Sequence, residues 1–366
     1  MAKVRIAIIG AGAIGRTHIE AARKLGCVTL CGLLDPSPAA ADLAAEHDCQ
    51  LYANLDSLIA DAPGGVVIAT PNALHEPMAL ALIAAGIPIL VEKPLAQSAT
   101  AAERIANAAA DAGVPGLVGH HRRYNPILRA AKAAMTDGFG DVVSGSVTST
   151  LYKPDSYFDV AWHCEPGNGG PLLINAIHEI DLIRHLCGEI ASVSALASHG
   201  QRALPVEDTA AVLFRLKSGG LVTLSLTDAG VGPWAWDIAA GENLARFPAH
   251  KVVTHMFSGQ RAALSLPDLT LWRFDGAPDW TQEQISHPLE HPEADAYDAQ
   301  LSHFADLISG QAEPMVSLQD GARNLRVIEA IHLSASESRE VEIAGSDADN
   351  VKPDGNGEKE TSPCPA

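Results

Sequence analysis

Six residues near the start of the chain, Gly10-Ala-Gly12-Ala13-Ile14-Gly15, constrain the fold more than any other segment. They follow a β-branched run, Val4 to Ile9, and open a helical pattern, Gly15 to Leu25. In a strand–turn–helix unit the first glycine permits a tight turn and the second lets a pyrophosphate approach the backbone. The third lets helix and strand pack closely. The helix N-terminus offers unpaired N–H groups and a partial positive charge. Asp35 lies twenty residues past Gly15, at the end of a second strand pattern, where a carboxylate accepts from ribose hydroxyls. A glycine-rich turn in another kind of α/β protein is the alternative. The strand, helix and acid, each at its expected place, disfavour it. The Asp35 carboxylate repels a 2′-phosphate, and Pro36, Ser37 and Pro38 bring no arginine to hold one, so NAD is expected in preference to NADP.

Strand and helix patterns alternate over the first 125 residues. Strands are expected at Val4–Ile9, Val28–Leu34, Val66–Ala69, Ile87–Val91 and Gly116–Gly119. Helices are expected at Gly15–Leu25, Ala39–Glu46, His75–Ala85 and Ala99–Ala112. Such alternation predicts a parallel sheet covered on both faces. After Asn125-Pro126 a helix (Ile127–Met135) leads into strand-rich sequence with antiparallel signals. The clearest strands are Val142–Leu151, Val193–Ala197, Thr209–Lys217 and Leu221–Thr227, with Ser218-Gly219-Gly220 as a hairpin turn. A helix over Leu172–Leu186 interrupts them, weaker strands run to about Ile285, and helices Asp295–Ile308 and Leu318–Ser334 follow. The expected fold class is α/β plus α+β. A doubly wound NAD-binding unit (1–125) precedes an open, mostly antiparallel sheet domain with helices on one face (126–345). An acidic, disordered tail (346–366) closes the chain.

At 366 residues the chain suits two domains of roughly 150 residues each, and 47% hydrophobic residues can fill their cores. With 25 basic and 44 acidic residues the net charge is -19, which argues against nucleic acid or an anionic membrane as partner. No secretory leader and no apolar run of about 20 residues is evident, so cytoplasm is the expected location. Cys27, Cys31, Cys49, Cys164, Cys187 and Cys364 show no paired CxxC spacing and read as buried thiols.

Two further segments lie at carboxyl ends of expected parallel strands, where open α/β sheets bind ligands. One is Ala69-Thr70-Pro71-Asn72-Ala-Leu-His75, and the other is Glu92-Lys93-Pro94. Together with GAGAIG and with GGPLLINAIHEIDLIRHLCG around His178, they make the chain from about Val4 to Ile343 resemble the Gfo/Idh/MocA oxidoreductases, the glucose–fructose oxidoreductase and inositol dehydrogenase family. That resemblance implies oxidation or reduction of a carbinol on a sugar, cyclitol or related polyol. It also implies homo-oligomers (dimer or tetramer) built through the sheets. It assigns Lys93 to the reacting oxygen and His178 to general acid/base work, with Thr70, Pro71, Asn72, His75, Glu92 and Lys93 near the cofactor. Many members carry an aspartate four residues before the histidine. Here that position is Ile174, with Asn175 beside it, on the same helical face as His178.

His178, Asp181 and His185 would project from one side of a helix, a spacing zinc could use. Asp181 pairing with Arg184 or capping a loop is the simpler expectation, and no metal is expected. Arg122, Arg123, Tyr124 and Asn125 at the crossing between domains are candidate substrate contacts. So are Trp162, His163 and Asn168 before the helix, and Asp228, Trp234 and Trp236 after a strand. Core packing is an equal alternative for these, and Trp234 and Trp236 at period two could share the buried side of a strand. An enzyme that retains its NAD through an epimerisation or elimination is an alternative activity. A non-catalytic NAD-binding regulator is another, disfavoured by the presence of both Lys93 and His178.

Overall fold

The computed structural model describes residues 3–343, so the expected acidic tail lies outside the described residues. Strands β1 (Val4–Ile9), β2 (Val28–Leu34), β3 (Gln50–Leu51), β4 (Gly65–Ile68), β5 (Ile89–Val91) and β6 (Gly116–Val118) form one parallel sheet, ordered β3-β2-β1-β4-β5-β6. Helices α1 (Ala13–Lys24), α2 (Ala39–Glu46), α3 (Leu55–Ala60), α4 (His75–Ala84) and α5 (Ala99–Ala112) connect its strands. Every residue of β4 and β5 is buried, as a sheet covered on both faces requires. The strand order reverses between β1 and β4, opening a crevice at their carboxyl ends. β3 and α3 escape the sequence pattern because one is two exposed edge residues and the other only six residues, too short to show a helical period. A reciprocal Asn54–Ser57 capping box starts α3.

Helix α6 (Pro126–Thr136) leads to a nine-stranded sheet. Its strands are β7 (Val142–Thr150), β8 (Ile190–Ser198), β9 (Thr209–Leu216), β10 (Leu221–Thr227), β11 (His255–Gly259), β12 (Ala263–Leu266), β13 (Thr270–Phe274), β14 (Gln284–Pro288) and β15 (Val341–Glu342). The order is β14-β13-β12-β11-β7-β10-β9-β8-β15, antiparallel throughout except for β7 beside β10. The expected hairpin joins β9 to β10, with Leu216 N donating to Gly220 O at 2.8 Å and Gly219 at φ +93°. Residues of β9 and β10 alternate between buried and exposed. The buried face packs against α7 (Ile177–Cys187) and α10 (Leu318–Glu337), while Leu196, Leu213, Leu221 and Met256 stand exposed on the sheet.

Three expectations need correction. The helix foreseen from Leu172 begins as a π turn, Leu172–Ala176, before α7, so its first residues do not keep α-helical facing. Trp236 is fully buried at the start of the short helix α8 (Trp236–Ala239), while Trp234 is 47% exposed, so the two do not share a strand face. Four of the five described cysteines are half-buried rather than buried, and all five are free. Packing also departs from chain order. Leu301, Phe304 and Leu307 of α9 (Ala296–Ile308) share a core with Ile6, Leu33, Val67 and Leu90, so a late helix covers the first sheet.

The crossing segment after β6 is held by buried ion pairs. Arg123 grips Asp181 bidentately, Nε to Oδ2 at 2.9 Å and Nη2 to Oδ1 at 2.7 Å. Arg122 donates to Glu179 at 2.9 Å and Asp237 at 3.1 Å. Arg123, expected at the substrate, is thus engaged in the interior. Asp181 does not pair with Arg184, which is itself held by Glu189 and Asn324. Removing one partner of a buried pair strands the other charge. Arg123→Met is therefore expected to destabilise the fold by about 3–5 kcal/mol in urea denaturation. A loss well under 1 kcal/mol would show that the pair does not hold the crossing segment.

Candidate functional site

The glycine turn has the geometry its spacing foretells. Gly10 has φ +93°, and a Cβ there would lie 2.4 Å from the Ala69 carbonyl oxygen. A Cβ on Gly15 would lie 1.9 Å from the Gly10 carbonyl oxygen, whereas one on Gly12 would meet nothing within 4 Å. The first and third glycines therefore serve packing, and the second faces open space. Gly12 and Ala13 are exposed and Ile14 half-buried at the N-terminus of α1, where no side chain caps the helix. Free N–H groups, open space and a helix N-terminus suit a pyrophosphate. Asp35 closes the turn from the other side, accepting from Ala11 N at 2.7 Å and Ser37 N at 2.8 Å. Burial pushes its carboxyl up, but these hydrogen bonds and the nearby Arg16 hold it below the ordinary carboxylate range. It stays an anion beside the expected ribose position. These residues fit a dinucleotide.

The β4 and β5 ends are strapped together. His75 Nδ1 lies 2.8 Å from the Pro94 carbonyl and Nε2 lies 2.9 Å from that of Thr70. Glu92 contacts His18 Nε2 of α1 at 2.8 Å and accepts from Lys93 N at 3.2 Å. His75 and Glu92, expected at the cofactor, spend these bonds on tying β4, β5 and α1 together. Thr70 and Asn72 are half-buried and Pro71 exposed along the crevice.

Lys93 reaches across to the second domain. Its Nζ donates to the Ile174 carbonyl at 3.1 Å, within the π turn that carries Asn175 and leads to His178. Burial pushes the ammonium down to about 8, with Arg122 and Lys153 adding to the effect against Glu92 and Asp237. His178 is buried and its Nδ1 has no partner, nor has Asn175 Oδ1. Burial, then the charges of Lys93 and Arg122, hold its imidazole neutral, well below the ordinary histidine range. The ammonium is thus bonded to the turn of Asn175, and Asn175 Oδ1 and the neutral imidazole of His178, which feels the Lys93 charge, each leave a polar atom without a partner. Buried polar groups ordinarily have partners, so this is where a ligand would supply them.

His120 and His121 close the site, and they were missed in the sequence. Their rings lie edge-on to His178 at 5.7 and 5.4 Å between centroids. Asn324 donates to His120 Nε2 at 3.0 Å, and burial pushes that imidazole down to about 4. His121 stacks on Tyr297 at 4.4 Å and lies 3.6 Å from Glu242. Both histidines follow β6 directly, so the carboxyl-end rule applied to Thr70 and Lys93 would have found them.

The remaining candidates scatter. Tyr124 is buried against His303, with its hydroxyl unpartnered. His163 stacks on Tyr157 at 3.8 Å beside half-exposed Trp162. Asp228 is buried and accepts from Arg202 Nε at 3.0 Å, so it serves the domain interior. Trp234 lends its carbonyl to Thr150 N at 2.7 Å. Asp181 is committed to Arg123 and Asn324, and no group of three metal-ligating side chains occurs among the described residues. Nor is any helix among them long and apolar enough to cross a membrane.

A nucleotide-binding turn facing a lysine and a histidine across a domain cleft defines an NAD-binding oxidoreductase. Comparison with known families agrees: the oxidoreductase family NAD-binding Rossmann fold of Gfo/Idh/MocA matches residues 4–120. Two C-terminal domains of the same family match 127–240 and 248–343. The chain belongs to the Gfo/Idh/MocA family. It is 30% identical over 347 residues to an inositol 2-dehydrogenase of Acidothermus cellulolyticus, covering 87% of this chain and 96% of that one. It is 26% identical over 363 residues to a D-apiose dehydrogenase of Paraburkholderia graminis, covering 94% and 90%. Among solved structures, the WlbA dehydrogenase of Bordetella pertussis, in complex with NADH and UDP-GlcNAcA, superposes with a TM-score of 0.77. It shares 22% identity and covers 93% of this chain and 99% of that one, a likeness of fold.

The glycines give a discriminating test. Gly12→Ala is expected to leave ligand-free stability within about 0.5 kcal/mol of the parent while abolishing the thermal shift given by NAD. Gly15→Ala lowers stability with or without ligand. Undiminished NAD binding by the Gly12→Ala protein would remove the pyrophosphate from that turn.

Proposed function

We propose that the protein is an NAD(H)-dependent oxidoreductase acting on a carbinol or carbonyl of a sugar, cyclitol or related polyol. The single observation carrying this reading is the Lys93 ammonium bonded to the turn that leads into the helix of His178. The named activities of the inositol and apiose dehydrogenases point to the same substrate class. NAD, when bound, supplies the hydride acceptor or donor. Gly10, Gly12, Ala13, Ile14, Gly15 and Asp35 would hold its adenosine and pyrophosphate end, and Thr70, Pro71, Asn72 and Lys93 would border the rest.

His178 takes the hydroxyl proton during oxidation. Kept neutral by burial and neighbouring cations, it is a competent base across the physiological range. Lys93 donates to the same oxygen and stabilises the charge that develops there. Asn175, unable to take a proton, orients the imidazole or the substrate through its amide. Asp35 favours NAD over NADP by repulsion of a 2′-phosphate. The exposed apolar residues of the second sheet support a homo-oligomer, dimer or tetramer, formed through that face.

Lys93→Met and His178→Ala are each expected to lower kcat by about 10²–10⁴-fold with NAD affinity retained, by steady-state kinetics on a panel of cyclitols, aldoses and sugar acids. Near-normal turnover of either variant removes its assigned role. The pH dependence follows from the depressed lysine. Oxidation needs the ammonium charged, so kcat/KM stays high below about 8 and falls as pH rises through it. A Lys93→Arg protein, whose guanidinium keeps its charge, is expected to lose this alkaline limb whatever its residual rate. An unchanged limb would assign the titration to another group.

A further inference from the structure

Lys153, three residues past the end of β7, is a buried cation held by an ion pair and by no hydrogen bond at its ammonium. Its side chain is only 7% exposed, yet its Nζ makes no hydrogen bond. The nearest acid, Asp228 at the end of β10, stands 3.4 Å away without hydrogen-bond alignment and gives its other oxygen to Arg202 at 3.0 Å. The Tyr157 ring lies 4.7 Å beneath the ammonium. Three donors buried and unused are costly unless something accepts from them.

Arg202 and Lys153 share the Asp228 carboxylate; of the other acids at Arg202, Asp155 is 98% exposed and buried Asp208 accepts from the backbone N–H groups of Gln201 and Arg202. The field of Glu207 reaches Lys153 too, but burial pushes that carboxyl up, and it accepts from Leu172 N at 2.9 Å. A chain of contacts runs from the spot to the loop of Lys93. Tyr157 stacks on His163, whose carbonyl packs where a Gly169 Cβ would sit, 2.0 Å away. The neighbouring Asn168 accepts from Gln97 Nε2 at 2.8 Å, on the loop that carries Lys93. The charge of Lys153 is felt at both Lys93 and His163.

We propose that Lys153 is a substrate-anchoring residue, whose ammonium between Asp228 and Tyr157 takes the carboxylate of a polyhydroxy acid that presents its carbinol to Lys93 and His178. This rests on the dehydrogenase reading above and narrows its substrate from polyols in general to sugar acids. A carboxylate supplies charge-assisted acceptors for the free donors. A hydroxyl supplies an acceptor alone.

Calorimetric titration of the NAD-loaded full chain tests this directly, with acid and neutral partners of the same carbon skeleton. D-Gluconate is set against D-glucitol, and D-galactonate against galactitol. The parent is expected to bind at least one acid about tenfold or more tightly than its alditol, the scale of a hydrogen bond to a charged group. Lys153→Met is expected to erase that preference, and Lys153→Arg to keep part of it. A retained NAD thermal shift shows that the variant is folded, and Lys153→Gln replaces it if the methionine protein does not fold. The Lys93→Met protein should keep the preference, since anchoring precedes chemistry. Equal binding of acid and alditol by the parent, no binding of either acid, or a preference surviving Lys153→Met overturns the proposal. NADH formation from any panel member by the parent tests the dehydrogenase reading separately, so the two can fail independently.

Discussion

The position of His178 depends on two adjacent arginine–carboxylate pairs buried between the domains. Arg122 and Arg123 leave β6 in succession, and their partners Glu179 and Asp181 lie on α7, one and three residues past His178. The bidentate Arg123–Asp181 pair fixes direction as well as distance, so with the Arg122–Glu179 bond it orients α7 relative to the crossing segment. Glu179 is held further by His255 at 2.9 Å and Asp181 by Asn324 at 2.9 Å, which leaves the carboxylates few free acceptor sites. A buried pair is weak evidence for net stability, because desolvation offsets much of the attraction. Its contribution here is placement.

The same charges set the chemistry. Burial alone would raise Glu179, yet Arg122 and His255 hold it at about 2, so it remains an anion. Each arginine is thereby paired with a carboxylate on α7, and the cations reach His178 only as a residual field. That field, added to burial, keeps the imidazole a base. Lys93, in contrast, has no carboxylate bonded to its Nζ, only a carbonyl. An ammonium so held sits near its titration point and can answer to charge appearing on a ligand.

How much of this was legible in sequence depends on the range of the interaction. β1, β2, α2, α5 and β10 have the bounds read from the chain, because β-branched runs, glycine stops and alanine-rich periods are local signals. The glycine turn and Asp35 were legible for the same reason. Partner choice was not. Arg123 and Asp181 are 58 residues apart, and no pattern says that Asp181 prefers it over Arg184 three residues on. The π turn was hidden because Leu172–Ala176 has ordinary helix-forming composition and is set by what packs on it, including the lysine on its carbonyl. His120 and His121 stand just past β6, where the same strand-end position that marks Thr70 and Lys93 marks them too.

Net charge and local charge also need separate treatment. At -19 the chain repels anions at long range, yet both NAD and a sugar acid are anions. Screening resolves this, because a charge on the outer surface counts for little beyond a Debye length of about 8 Å at physiological salt. Buried groups escape that screening. A dinucleotide can be held by backbone N–H groups and a helix end, with Arg16 as the basic side chain at Asp35. Lys93 and Lys153 stand within the protein, where removal from water makes each interaction stronger than any surface lysine could offer. The acidic exterior therefore slows encounter at most. On the proposed reading, selection among ligands falls to the buried cations Lys93 and Lys153, which meet the substrate after its water has gone.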